Sequence, residues 1–223
     1  MKSLLASAAV ALSLLAGAAQ AATVASITSA EVSSILVTGD PAMRIKDGSG
    51  ADDLYVGVTD LGAPGNRATP APSIVFAATQ AFSFTFDQTT GVVSGAVGAV
   101  SGSYTTAADT FNALVFQIRN NPNRNKVFSI ENLIVNGEAV GSFAPGAGTG
   151  TLAWLVTGFG AQPLLSVSGT LGVINPGGGN DNENVRVDFA LANVAPIPVP
   201  AALPLMLLAL GGLGLAARRR RAA

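Results

Sequence analysis

The sequence predicts an all-β domain, an antiparallel β-sandwich of the jelly-roll kind, and three observations support this fold class. Apolar and polar residues alternate along several short segments, as in strands that bury one face. Turn-forming Gly, Asn and Asp residues separate these segments. Apart from the two chain ends, the sequence has almost no helical periodicity. About ten short strands joined by such turns are typical of antiparallel sandwiches.

Four segments carry the alternation most clearly. Phe82–Asp87 places three phenylalanines on one face, and Val185–Leu191 repeats the pattern. Leu114–Arg119 and the start of Phe128–Glu131 follow it as well. We therefore expect one face of each strand to form the core, made of Phe82, Phe84, Phe86, Phe116, Ile118, Phe128, Ile130, Val185, Val187 and Phe189, with Trp154 beside them.

Turn signals place the connections between the predicted strands. Asp87–Gly91 and the dipeptide Asn136-Gly137 are typical of hairpins. A Gly-rich turn separates the predicted strands Met43–Lys46 and Leu54–Val58. One short helix is predicted within the domain, at Ala107–Asn112.

The N-terminus has the three parts of a secretory signal peptide. Lys2 supplies the positive charge, Leu4–Ala16 is the apolar stretch, and Ala19 and Ala21 form a small-x-small cleavage site. The signal peptide is therefore predicted at residues 1–21 and the exported domain at 22–195. We expect the Sec translocon to export the chain and signal peptidase to cleave it.

The C-terminus combines a proline-rich segment, residues 196–201, with an apolar run, 201–217, and a basic tail, 218–223. As a helix, the 17 apolar residues would extend about 25 Å, which is near the short end of what spans a bilayer. Positive residues after a membrane span favour a cytoplasmic tail, so the domain is expected on the other side of the inner membrane. The residues of this positive stop are Arg218, Arg219, Arg220 and Arg221.

Motif, membrane span and arginine cluster in this order resemble the PEP-CTERM sorting signals of Gram-negative bacteria, in their VPLPA variant. The motif residues are Ile197, Pro198, Val199, Pro200 and Ala201. Ile replaces the first Val and Val replaces Leu. The resemblance implies recognition by an exosortase-type membrane transpeptidase, cleavage near the motif and transfer to the cell surface or extracellular matrix. It covers only the last 28 of 223 residues and does not describe the exported domain.

Composition excludes several classes of function. The exported domain has 13 acidic and 7 basic residues, a net charge near −6, which argues against nucleic acid as a partner. The chain contains no cysteine and no histidine. A Ser-His-Asp triad, a cysteine nucleophile and the ordinary zinc, copper and haem sites are therefore excluded. We expect no cofactor other than a structural Ca²⁺ ion.

Two Gly-rich acidic loops are candidates for that Ca²⁺ ion, because carboxylate and hydroxyl oxygens are its preferred ligands. The second loop, residues 177–183, resembles the core of calcium-binding nonapeptide repeats in a single copy. For both loops, a solvated turn between strands is the simpler interpretation. The candidate ligands are Asp47, Ser49, Asp52 and Asp53 in the first loop and Asp181 in the second.

Two further patterns suggest sugar chemistry only weakly. A glycosidase needs a carboxylate pair, but Glu131 and Asp188 lie on alternating strands and are expected to face solvent. The domain has one Trp and two Tyr to stack on sugar rings. The polar segment Asn120–Lys126 could contact an anionic polysaccharide, although a hairpin tip is the simpler interpretation. The carboxylates considered for catalysis are Asp52, Asp53, Glu131, Glu138 and Asp188.

These patterns favour a non-enzymatic cell-surface or extracellular-matrix protein, of the kind that contributes to biofilm or adhesion in families with this tail. Two alternatives remain open. One is a secreted polysaccharide hydrolase that uses a carboxylate pair. The other is a Ca²⁺-dependent carbohydrate-binding module. Extracellular polysaccharide is a candidate partner of the exported domain.

Overall fold

The computed structural model describes residues 22–47, 54–61, 63–68, 72–120, 126–145, 150–159, 162–176 and 185–195. The chain divides into two compact units, residues 1–193 and 194–223, and the sheets belong to the first. The signal peptide, the sorting motif, the predicted membrane helix and the arginine tail lie outside the described residues. Within the described part, no helix is long and apolar enough to cross a membrane.

The domain is all-β, as the alternation predicts, and is made of two antiparallel six-stranded sheets. In sheet A the order is β1-β10-β7-β12-β2-β3. The strands of this sheet are β1 (Thr23–Ile27), β2 (Pro41–Lys46), β3 (Leu54–Val58), β7 (Ala113–Asn120), β10 (Gly150–Thr157) and β12 (Arg186–Ala192).

Sheet B has the order β6-β5-β4-β11-β8-β9. Its first three strands form a meander, whereas β11 and β8 come from distant parts of the chain. The strands of this sheet are β4 (Thr79–Asp87), β5 (Val92–Val97), β6 (Val100–Thr105), β8 (Val127–Val135), β9 (Glu138–Phe143) and β11 (Leu164–Ile174). The described residues thus contain twelve strands, where the sequence predicts about ten.

The core lies between the two sheets and includes the residues that the alternation predicts. All ten expected core residues are buried, and none is more than 3% exposed. Trp154 is only partly buried, because it lies on β10 beside the edge strand β1. Its ring stacks on Phe116 with centroids 5.0 Å apart and contacts Phe143 of the other sheet at 5.1 Å.

The predicted turns are confirmed where the structure describes them. The segment after Asp87 joins β4 to β5, and the hairpin of β8 and β9 turns at Asn136-Gly137. Both turn residues have positive φ, 51° and 84°, as a tight hairpin turn requires. Asn120–Lys126 is not a hairpin tip, because β7 lies in sheet A and β8 in sheet B.

The predicted helix at Ala107–Asn112 is wrong, because these residues have no helical structure and connect β6 of sheet B to β7 of sheet A. Phe111 of this segment is buried and packs edge-on against Phe86 with ring centroids 5.4 Å apart. Tertiary packing therefore overrides local propensity. In the described part of the domain, the α-helix α1 is Ser29–Ile35, and a short 3₁₀ turn occupies Pro64–Asn66.

Helix α1 begins with a capping box. The Glu31 backbone N–H donates to the Thr28 hydroxyl, and the Glu31 carboxylate accepts from the Thr28 backbone N–H at 2.6 Å. These backbone and hydroxyl hydrogen bonds from Thr28 hold the pKa of Glu31 below its ordinary value. The spacing Thr-x-x-Glu is visible in the sequence and is the signal that identifies this helix.

We predict that Gly57→Ala destabilises the domain, because a Cβ atom at this position would lie 2.0 Å from the backbone oxygen of Asn66. Displacing backbone at a packed contact costs about 1–3 kcal/mol. The matched control is Gly65→Ala, where no atom lies within 4 Å of the added carbon. Thermal unfolding of both variants tests the prediction, and equal melting temperatures would contradict it.

Candidate functional site

A pocket of about 290 Å³ lies on the outer face of sheet A, where α1 and the segment after β3 cover part of the sheet. Ala42 and Ala190 of neighbouring strands form part of its wall, and α1 contributes Val32 and Leu36. Leu36 also packs on a small cluster of buried apolar residues on this face. The pocket volume is at the lower end of the range for small-molecule sites.

Three polar side chains of the pocket come from one row across three adjacent strands. Asp188 of β12 stands opposite Gln117 of β7 on one side and Arg44 of β2 on the other. The Nε atom of Arg44 donates to Oδ1 of Asp188, and Nε of Arg186 lies 2.8 Å from Oδ2. The second contact is an ion pair by distance only, since the Arg186 Nε–H makes no hydrogen bond. One carboxylate thus lies between two guanidinium groups.

The next row of the same face contains three cations directly opposite one another. Arg186 pairs in register with Arg119 of β7 and with Lys46 of β2. Like charges opposite one another in a sheet are destabilising. The row is therefore held by contacts with residues outside it, such as Asp188 beside Arg186 and Tyr55 beside Lys46.

Tyr55 of β3 accommodates part of this charge. The Lys46 Nζ atom lies 4.5 Å from the centre of its ring, and the Arg67 guanidinium lies 3.9 Å from it. Cations above an aromatic face are attracted by its quadrupole. The tyrosine is itself buried, so its ring is not available to stack on a ligand.

The basic residues of the domain are thus concentrated on one surface. Among the six basic residues that the structure describes, four lie on the outer face of sheet A and Arg67 stacks on Tyr55 beside them. We call Lys46, Arg186 and Arg119 the cationic row. The pocket has a second acidic residue, Asp60, which follows β3. The end of β3 lies beside Pro41, at the opposite end of β2 from Lys46, so Asp60 is about 17 Å from Lys46 along this strand.

Asp40 lies in the connection between α1 and β2, close to the pocket. Burial raises the pKa of this carboxyl above its ordinary value, although its hydrogen bond from the Val37 N–H opposes the shift. The nearby charge of Asp109 raises the pKa further. Compared with the unfolded chain, the folded state therefore shifts Asp40 towards its protonated form.

The residues proposed for Ca²⁺ are mostly outside the described part of the chain, namely Ser49, Asp52, Asp53 and Asp181. Asp47 is described, and it is buried with its Oδ1 atom 2.6 Å from the Lys126 Nζ. Its carboxylate already has a cationic partner inside the protein. Among the described residues, no group of three or more acidic side chains is placed to hold a metal ion.

The structure separates the carboxylates considered for catalysis. Glu131 is exposed on sheet B, as expected, whereas Asp188 is half-buried on sheet A between its two arginines. Glu138 lies on β9, and its Oε2 atom accepts a hydrogen bond of 2.8 Å from the Ala22 backbone nitrogen. Asp52 and Asp53 lie outside the described residues.

The polar segment Asn120–Lys126 begins and ends with buried side chains. The Asn120 side chain donates to the Phe128 and Pro145 carbonyl oxygens and accepts from the Phe128 N–H at 2.9 Å. Lys126 pairs with Asp47 and lies 5.5 Å from the ring of Phe76. These two residues therefore stabilise the end of the sandwich and do not form a surface for polysaccharide. Residues 121–125 are not described.

The cationic row was not identified from the sequence, although its residues occupy the polar positions of the segments that predict the core. No protein-family model matches the chain, and no curated protein is significantly similar to it. The site is therefore interpreted from its own chemistry.

We predict that Asp188→Asn lowers the free energy of unfolding by about 1–2 kcal/mol, because an amide replaces the only charge between Arg44 and Arg186. The side chains are 18–24% exposed, so solvent screening keeps the loss below that of a fully buried pair. Glu131→Gln, on the exposed face of sheet B, is the control and should change stability by less than about 0.5 kcal/mol. Chemical denaturation of both variants measures the difference. A stable Asp188→Asn variant would show that the arginines do not need this carboxylate.

We predict that Asp40→Asn raises the melting temperature at neutral pH. Because the folded-state pKa of Asp40 is raised, its favourable contribution is complete below its ordinary pKa of 3.8 and is lost as the pH rises through the shifted value. The gain should therefore disappear near pH 3, where the wild-type carboxyl is protonated. Asp109→Asn removes only the charge of Asp109, which is the smallest of the three contributions to the pKa shift of Asp40. It should therefore raise the melting temperature less than Asp40→Asn does. A gain that is independent of pH would contradict this explanation.

Proposed function

We propose that the protein is an exported, non-enzymatic cell-surface or extracellular-matrix protein, released from its signal peptide after Ala21 and sorted by an exosortase-type transpeptidase. One contact carries the first part of this proposal. The Ala22 nitrogen lies 2.8 Å from the Glu138 carboxylate, and Ala22 packs against the hydrophobic core. Cleavage after Ala21 would convert this nitrogen into an ammonium group, and the hydrogen bond into an ion pair with the Glu138 carboxylate.

We also infer that the sandwich is a jelly roll. Four neighbouring strands of sheet A have the order 10-7-12-2, and four of sheet B have the order 4-11-8-9. The chain from β7 to β12 changes sheet repeatedly, so that strands distant in sequence become neighbours. This arrangement is typical of two interleaved Greek keys. Jelly rolls occur in many lectin and capsid domains, but the fold alone does not define a function.

The placement of the carboxylates supports a non-enzymatic function over a hydrolase. Glu131 and Asp188 lie on the outer sides of two sheets that pack about 10 Å apart, and glycosidase pairs are separated by about 5–9.5 Å. Glu131 and Glu138 lie on adjacent strands, but Glu138 is in register with Val135, about 13 Å along the strand from Glu131. Among the residues that the structure describes, no contact favours the Ca²⁺-dependent alternative.

The intact mass and cell fraction of the protein in its own host test the proposal. A surface or medium species that starts at Ala22 and ends near Ile197–Ala201 is the expected result. Recovery of the chain with its C-terminal arginines, in the inner membrane, would contradict sorting. Recovery with residues 1–21 attached would contradict cleavage at Ala21.

We predict that Glu138→Gln lowers the melting temperature more in the processed protein than in the unprocessed chain. In the processed form the substitution removes a partly buried ion pair, worth about 1 kcal/mol, or roughly 2–4 °C. In the unprocessed form it replaces a carboxylate acceptor by an amide oxygen, which can still accept the hydrogen bond of the neutral Ala22 amide. Ala19→Asp provides the unprocessed chain by blocking cleavage, and Glu131→Gln controls for loss of an acidic group. Equal losses in both forms would contradict an ion pair at the N-terminus.

A further inference from the structure

We propose that Lys126 and Asp47 form a covalent cross-link, an isopeptide bond between the Nζ atom of the lysine and the side-chain carbon Cγ of the aspartate. The ion pair seen in the structure is the arrangement of the two reactants before the bond forms. The bond would form inside the folded domain, so it does not depend on cleavage of the C-terminal tail. It assigns a chemical modification to two residues that are 79 positions apart in the sequence.

The two reacting groups are in contact and shielded from water. The Lys126 Nζ atom lies 2.6 Å from Oδ1 of Asp47, and the two side chains are 4% and 6% exposed. The ring of Phe76 lies 5.5 Å from the Nζ atom and packs on Phe128. Contact between two oriented reactants raises their effective concentration by several orders of magnitude. Exclusion of water protects the amide product from hydrolysis.

The Asp47 carboxylate has an oxygen atom that the ion pair does not satisfy. Its Oδ2 atom is buried and has no hydrogen-bond partner among the described residues. A buried ion pair is costly to desolvate unless further hydrogen bonds satisfy both groups. Formation of an amide removes both buried charges, because the product is neutral. Burial of this pair therefore favours the amide over the ion pair.

Hydrogen bonds fix the backbone on both sides of the contact. The Asp47 N–H donates to the Val185 carbonyl oxygen at 3.0 Å. Close to Lys126, the Asn120 side chain binds both the N–H and the carbonyl oxygen of Phe128. Asp47 follows β2 of sheet A, and Lys126 precedes β8 of sheet B. The bond would therefore join the two sheets covalently, in a chain that has no cysteine for a disulfide.

The atoms of the pair alone balance the reaction. One proton moves from Nζ to Oδ1, which gives a neutral amine and a carboxylic acid. The amine lone pair attacks Cγ, and the Nζ–Cγ bond forms. A second Nζ proton moves to Oδ1, the Cγ–Oδ1 bond breaks, and water leaves. Nζ keeps one hydrogen atom, and Oδ2 becomes the amide oxygen.

The ion pair of Arg44 and Asp188 lacks the properties that favour this reaction. Each of its side chains is 18% exposed, and both Asp188 oxygens lie near a guanidinium group. A guanidinium group is not deprotonated in proteins, so it offers no lone pair for attack. Arg44→Lys is therefore a matched control, because it places an amine beside an aspartate to which water has access.

The test is the intact mass, measured in denaturant, of the protein recovered from its host, or of the full-length chain in detergent if it stays in the membrane. We expect the mass to be lower than that of the same sequence by one water molecule. Trypsin does not cut after a modified lysine, so residues 47–67 and 125–186 should appear as one branched peptide. The site variant is Lys126→Arg, which keeps a positive charge beside Asp47 but cannot form the bond.

We expect Lys126→Arg to have the full mass and to melt roughly 10 °C or more below the wild type, because the loop that the bond closes is long. Arg44→Lys should show the branched peptide and no second loss of water. A wild-type chain of full mass with separate tryptic peptides would overturn the proposal, even if a variant fails to fold. Loss of water that persists in Lys126→Arg would also overturn it, since a succinimide at Asp47-Gly48 would then account for the mass. A second loss of water in Arg44→Lys would contradict the role of burial.

Discussion

Packed aromatic rings hold the two sheets together. The chain contains no cysteine, so no disulfide contributes to this contact. Phe189 of β12 contacts Phe82 of β4 across the core at 5.1 Å and Phe84 at 6.4 Å. Phe116 continues the contacts to Phe143 of sheet B at 4.8 Å. Burial of each such side chain contributes about 1.5–3 kcal/mol. The inner faces of the strands therefore supply the cohesion, and the outer faces can carry residues that do not contribute to it.

This division explains which parts of the fold can be predicted from the sequence. A strand with period two reveals its buried face in any window of six residues, so Phe82–Asp87 identifies its inward residues without knowledge of its neighbours. The order of the strands depends on contacts between distant segments. Arg44 and Asp188 are 144 residues apart, and only the pairing of β2 with β12 brings them together. Alternation therefore predicts that these residues face outward, but not that they meet.

The dependence on contacts between distant segments also explains why the sequence predicts solvated turns at two polar residues that are buried in the structure. Asp47 and Lys126 stand in Gly- and Asn-rich stretches that are typical of solvated turns, but the pair is buried. Each charge is tolerated inside the protein because the other lies 2.6 Å away. The pair connects the end of β2 to the start of β8, and so links the two sheets. Neither stretch contains a signal that identifies its partner, which lies 79 residues away.

The outer faces of the two sheets differ in their chemistry, although both are formed by alternating strands. On sheet B, Ser103, Ser94, Thr85 and Ser166 form one continuous row of neutral hydroxyls. On sheet A, the equivalent positions of β2, β12 and β7 carry the cationic row.

A neutral row involves no electrostatic repulsion, so these four strands of sheet B pair without charged residues at these positions. On sheet A the cations of the row have contacts with residues outside it, since Arg186 pairs with Asp188 and Lys46 lies over the ring of Tyr55. The charged row is therefore held by side chains of the neighbouring row and of β3, whereas the hydroxyl row of sheet B contains no like charges to compensate.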